Sequence, residues 1–177
     1  MLLQQLSQSI IHNMEIIKSS RLYSLLVLYD MQTTFFDNVL DGILDKDIHN
    51  RLNTEANHIA WLTGSMVQQR FEIANELGID KKQEAFSLFS DNKGIQKDVT
   101  YPSLEIYKKD WKMITPVLRS ALVEATEDQL DRTIEMMPGQ TMTFYDLLGF
   151  FIYREANIIG QIALWRRLLG YPAMKYM

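Results

Sequence analysis

The chain of 177 residues contains no cysteine. That excludes disulfides, thiol nucleophiles and cysteine-ligated metal centres. It also fits a cytoplasmic protein, because a reducing compartment gives disulfides no role. Histidine is nearly as scarce, with only His12, His49 and His58. His12 and His49 read as surface or loop positions. No stretch approaches the roughly 20 apolar residues of a membrane-spanning helix. The opening MLLQQLSQSIIHNM lacks the basic region and small-residue cleavage site of a secretory signal. Concentrated positive charge is missing too. The net charge is −4 and the pI about 5.4. The one basic cluster, Lys108-Lys109 with Lys112, reads as a solvated helix face. Neither a nucleic acid, which needs a basic surface, nor a membrane is expected as a partner. No phosphate-cradling glycine loop, low-complexity tract or useful run of strand-like alternation is visible.

What is there is helical periodicity. Hydrophobic residues make up 47% and charged residues 23%, ordinary for a soluble globular chain. The length predicts a single domain over 1–177 with a sizeable core. The four prolines and eight glycines fall mostly between long periodic segments. Leu3, Leu6, Ile10, Met14 and Ile17 stripe an amphipathic segment from about Leu2 to Lys18. Ser19-Ser20 either breaks it and caps the next helix, or the two run on as one. The next helix spans about Arg21 to Leu44, with Leu22, Leu25, Tyr29, Gln32, Phe36, Val39 and Ile43 on one face. Asn53 or Thr54 is the expected cap of a helix running to Leu77, striped by Ile59, Leu62, Met66, Ile73 and Leu77. Gly78 is its natural stop. A short helix around Lys82 to Phe89 and a turn at DNKG, 91–94, fill the following connection. A helix from Pro102-Ser103 to about Ala125 carries Leu104, Tyr107, Trp111, Ile114, Leu118 and Leu122. Pro116 predicts a kink near Met113 to Thr115, or two stacked helices. Residues 126–142 form a second connection with a turn at Pro138-Gly139. The last helix runs from Phe144 to Leu169, bounded by Gly170 and Pro172.

Four striped helices of similar length, each about 33 to 40 Å long, predict an all-α four-helix bundle over 20–171 with long crossing connections. The N-terminal amphipathic helix over 1–18 is then extra. Its apolar face must be covered, by packing on the outside or by a second chain. Its only charges are Glu15 and Lys18, too few for an interfacial membrane helix.

Two stretches carry a resemblance: NHIAWLTGSMVQQR (57–70) and ANIIGQIALWRRLLGY (156–171). Together they resemble the DinB-like (YfiT/DinB) four-helix-bundle superfamily of metalloenzymes over about residues 20–171. The family's second helix carries aromatic-Leu-x-Gly-His. Its last helix carries His-x-x-x-His ahead of Gly-Gln, a basic pair and Leu-Gly. The resemblance implies three histidines binding nickel or zinc, thiol-transferase or thiol-isomerase chemistry, and homodimers. Carried over by position, the ligands fall on Ser65, Arg154 and Ile158, none of them a histidine. Isoleucine has no donor atom, and a protonated arginine repels a metal. The family's metal site therefore reads as lost, and no cofactor is expected. The alternative is a divalent metal, nickel or zinc, at a relocated site using His58 and Glu155. His58 otherwise reads as an entry-end histidine bonded to backbone or solvent.

Arg154 lies about 40° from Ile158 on a helical wheel, with Gln161 on the same side of the apolar stripe and Glu155 on the other. A guanidinium so close to a core must be paired or reach water. It either bonds a carboxylate or backbone carbonyls and fills the former metal space, or lines a retained pocket and binds an anionic small molecule. Tyr29 and Gln32 face inward and are candidate pocket residues or satisfied core polars. Trp61, Trp111 and Trp165 read as packing residues. The functional expectation is a non-metal small-molecule-binding or interaction module. The alternative is a thiol-dependent transferase or isomerase using an Arg-lined pocket or the relocated metal.

Overall fold

The computed structural model describes residues 17–176. The expected N-terminal helix, the dimer contact assigned to it and His12 lie outside the described residues, apart from Ile17 and Lys18. Lys18 already donates its backbone N–H to Val123 O at 3.0 Å.

A 3₁₀ turn, Ser20–Leu22, opens on Ser19, whose hydroxyl accepts the Arg21 N–H. It leads into α1, Tyr23–Leu40. Then follow α2, Ile59–Glu76, the one-turn α3, Phe86–Phe89, and α4, Leu104–Val123. A short α5, Glu127–Asp131, precedes a hairpin of β1, Thr133–Met137, and β2, Gln140–Thr143. The chain closes on α6, Phe144–Leu168. The molecule is mostly helical. Each of α1 and α2 packs on both α4 and α6. The two consecutive helices therefore face each other across the axis, and the long connections carry the chain between non-adjacent positions.

The stripe expected for α4 is buried in full, and its Trp111 stacks on Phe36 of α1 at 4.0 Å. Each such fully buried ring contributes about 1.5–3 kcal/mol relative to leaving it exposed. Gly78 and Gly170 stop α2 and α6 in the left-handed conformation, at φ 81° and 85°. None of the described helices is long and apolar enough to cross a membrane.

Several expectations need correction. α1 ends at Leu40 rather than Leu44, because Asp41 is extended and Gly42 turns at φ 71°. α2 starts at Ile59, not after Asn53 or Thr54. Leu52 and Asn53 take left-handed conformations that no helix continues, and the cap is His58, whose ring accepts the Trp61 N–H. Leu104–Val123 is one helix with Pro116 inside it, not two stacked helices. Pro116 and Lys112 lie on its exposed side, so water can satisfy the carbonyl that the proline leaves without a donor. Residues 126–142 are not a plain connection. Thr126 and Gln129 form a reciprocal capping box for α5, and the Pro138-Gly139 turn closes the hairpin, with Gly139 at φ 77°.

Candidate functional site

The site grows from the packing of α2 on α6. Along α2 the apolar spacing Ile59, Leu62, Met66 skips to Ile73, leaving Gln69-Arg70 in the gap. Along α6 the run Phe151, Ile158, Ile162 is broken by Glu155. The two gaps meet. Arg70 donates from Nε to Glu155 Oε1 at 2.8 Å and from Nη2 to Oε2 at 2.9 Å. Its Nη1 donates to Thr33 Oγ1 at 3.0 Å and Thr115 Oγ1 at 2.8 Å. The guanidinium carbon lies 3.9 Å from the Tyr29 ring centre and 3.5 Å from that of Trp111. Both charged residues are essentially inaccessible, at 0% and 1% exposure. Here bidentate geometry, two hydroxyl acceptors and two aromatic faces replace water around the charge. All four long helices contribute, so this pair fixes their mutual positions.

Arg154 is the neighbour of Glu155 but points elsewhere. It donates from Nη2 to Ser65 Oγ at 2.7 Å and from Nη1 to Gln69 Oε1 at 2.9 Å. Gln69 is held in turn by donating to the Phe151 carbonyl at 2.7 Å. Neither partner of Arg154 is charged, and neither is the carboxylate or backbone carbonyl expected from the sequence. Burial pulls the Arg154 pKa down, while Glu72 and Glu155 pull it up.

Beside Arg154 opens a cleft of about 590 Å³. Ser65, Gln68 and Glu72 of α2 face Leu147, Phe150 and Phe151 of α6 across it. Trp61, Phe89 and the 91–94 turn close one side, and Ile134 and Glu135 of the hairpin another. Glu72 is half-buried. Its Oε1 accepts Gln68 Nε2 at 3.1 Å, and burial raises its pKa against that bond and Arg154. Gln83 props Gln68, donating to its Oε1 at 2.9 Å and to the Gly64 carbonyl at 3.2 Å. Gly64 is required by close approach. A Cβ there would collide with the Phe89 ring and lie 2.7 Å from the Tyr107 ring.

The residues at the ligand positions implied by the resemblance do not fit a metal. Ser65 and Arg154 converge, but their polar atoms bond each other, and Ile158 is buried and apolar. Among the described residues no group of three His, Cys, Asp or Glu could hold an ion. The relocated set of His58 and Glu155 is not brought together. Glu155 is engaged with Arg70, about 18 Å along α2 from His58 by helical rise. His58 Nδ1 accepts the Trp61 N–H at 3.1 Å, and its ring lies 5.1 Å from those of His49 and Tyr101. Burial, then His49, lowers its pKa to about 4.

Other candidates also move. Gln161 is exposed and donates to Asn157 Oδ1 at 2.7 Å, outside the cleft. Tyr29 and Gln32 are buried core polars rather than cleft residues. The Tyr29 hydroxyl donates to Thr115 O, and Gln32 Nε2 donates to Ile152 O, each at 2.8 Å. Burial pushes the Tyr29 hydroxyl pKa up. Of the tryptophans, Trp111 and Trp165 are core, but Trp61 lines the cleft. Arg166, the first residue of the basic pair, bonds the Val39, Asp41 and Pro172 carbonyls at 2.8, 2.7 and 3.0 Å. It caps the end of α1. Sequence reasoning missed Arg70, Gln69 and Glu72. The signal for the first was the pair of opposite charges in matching gaps of two apolar stripes.

No family model matches the chain, and no curated protein does.

Proposed function

We propose that the chain is a DinB-like four-helix-bundle protein whose cleft beside Arg154 binds a small molecule without a metal. The observation that carries this reading is the contact between Ser65 and Arg154. They stand 89 residues apart in sequence and 2.7 Å apart in space, at the wall of an open cleft. Metal-ligand positions in the family resemblance coincide here with a hydroxyl and a guanidinium. The cleft volume falls within the roughly 300–1,000 Å³ usual for ligand sites. Its lining sets the aromatic walls of Trp61, Phe89, Phe150 and Phe151 against polar and charged side chains in a concave site, which favours a small molecule over an extended protein partner. The homodimer that the resemblance implies is part of the proposal, and light scattering reads it.

The test is ligand-observed NMR screening of chelator-treated protein against a fragment set. Ser65→Trp, which fills the cleft, and Arg154→Met serve as controls. The reading expects ligands that bind the wild type and lose affinity in both variants. It fails if no ligand depends on the cleft, or if binding appears only on adding nickel or zinc.

A transferase or isomerase reading draws on Glu72, a half-buried carboxylate of raised pKa beside Arg154, since such groups cluster at catalytic sites. Thiol and electrophile panels against wild type and Arg154→Ala test it. Absence of turnover, or equal rates in both proteins, rejects it.

A further inference from the structure

Resting on the small-molecule reading, we propose that the cleft recognises a zwitterion of the α-amino-acid type with an apolar or aromatic body, its anionic group on Arg154 and its ammonium on Glu72. The two side chains carry opposite charge into one cleft without forming an ion pair. Arg154 spends two of its five N–H bonds on the neutral Ser65 and Gln69. The rest remain for a ligand. Glu72 has one oxygen on Gln68 Nε2, and its other oxygen has no partner among the described residues. Glu72 lies three residues beyond Gln69 on α2, about 4.5 Å further along the axis. That offset suits a ligand whose two charged groups are neighbours.

A ligand with only a negative charge would satisfy Arg154 but face the carboxylates of Glu72, Glu76, Asp91 and Glu135. A ligand with only a positive charge would satisfy Glu72 but leave Arg154 uncompensated and face Lys93 as well. Only a zwitterion compensates both half-buried charges, and charge-assisted bonds are the strong ones in such a setting. The body of the ligand has its own wall. The Trp61 and Phe89 rings stand 6.4 Å apart, and Phe150 is half exposed on the opposite side.

Calorimetric titration of the full chain with three probes tests this: L-phenylalanine, phenethylamine and 3-phenylpropionate. Phenylalanine is expected to bind about tenfold or more tighter than either single-charge probe. Glu72→Gln should weaken phenylalanine and phenethylamine about tenfold and leave phenylpropionate equal or tighter. Arg154→Gln should weaken phenylalanine and phenylpropionate and spare phenethylamine. If either single-charge probe matches phenylalanine in the wild type, the zwitterion falls while cleft binding stands. If no probe binds, the zwitterion also falls, and the fragment screen alone decides the broader reading. Circular dichroism checks the fold of both variants, and either variant suffices for the test.

Discussion

Replacing Glu155 by Leu would strand the Arg70 guanidinium at the centre of the bundle. Arg70 would keep its bonds to Thr33 and Thr115 and its two aromatic faces. It would lose both bonds to Glu155, the only carboxylate that touches it among the described residues. Removing one partner of a buried pair costs about 3–5 kcal/mol, because the remaining charge has neither water nor a counter-ion. Against a typical domain stability of about 5–15 kcal/mol, that is a large share. Arg70→Met should cost a similar amount, since it leaves the Glu155 carboxylate buried alone. The double variant removes both charges and fills the space with apolar atoms. It should therefore cost well under the sum of the singles, with a coupling of about 2 kcal/mol or more. Urea denaturation followed by circular dichroism measures all four proteins. A cost below about 1 kcal/mol for Glu155→Leu, the range of exposed ion pairs, would refute the reasoning. Additive single costs would refute it equally.

His58 should make stability fall with acid. The neutral ring accepts the Trp61 N–H, and protonation turns that acceptor into a donor. The folded pKa is about 4 against roughly 6.5 unfolded. The unfolded chain thus binds more protons between those values, and the contribution of His58 is full above about pH 6.5 and lost as pH falls to about 4. His58→Asn, a cap that does not titrate there, should flatten this part of the curve in urea melts at pH 7, 5 and 4. An unchanged slope would contradict the assignment. Gly64→Ala should cost about 1–3 kcal/mol through overpacking and weaken any cleft ligand, because Phe89 must move. A silent substitution in both assays would count against the close approach. Arg166→Met should cost about 2–3 kcal/mol by releasing two backbone carbonyls at the end of α1 and that of Pro172 beyond α6, measured in the same melts. A loss under about 0.5 kcal/mol would show that water replaces the cap.

The stripe of α4 was legible because it is a strong single periodicity; that of α1 was readable although Val27, Leu28 and Met31 lie exposed on its other side, and so were the stops at Gly78 and Gly170. The hairpin was not. Ile134 and Met142 are its half-buried apolar residues, too little for an alternating signal. The start of α2 was misplaced because Asn53 and Thr54 are common caps and histidine is not. The convergence of Ser65 and Arg154 came from the family resemblance alone, since no periodicity links residues so far apart. The cleft walls were illegible for another reason. Phe89 of the one-turn α3, the 91–94 turn and Glu135 of β1 lie between the long helices, where positions depend on tertiary packing rather than on local pattern. Arg70 and Glu155 were readable in principle, as paired interruptions of two core faces.

The account centres on a cleft that works without a metal. Its most direct test is the affinity of one cleft ligand, measured calorimetrically in chelator-treated protein and again after adding nickel or zinc. The account predicts the same dissociation constant within about twofold, a difference of about 0.4 kcal/mol, and loss of binding in Arg154→Met under both conditions. Binding that appears only with the metal, or that survives unchanged in Arg154→Met, would contradict it.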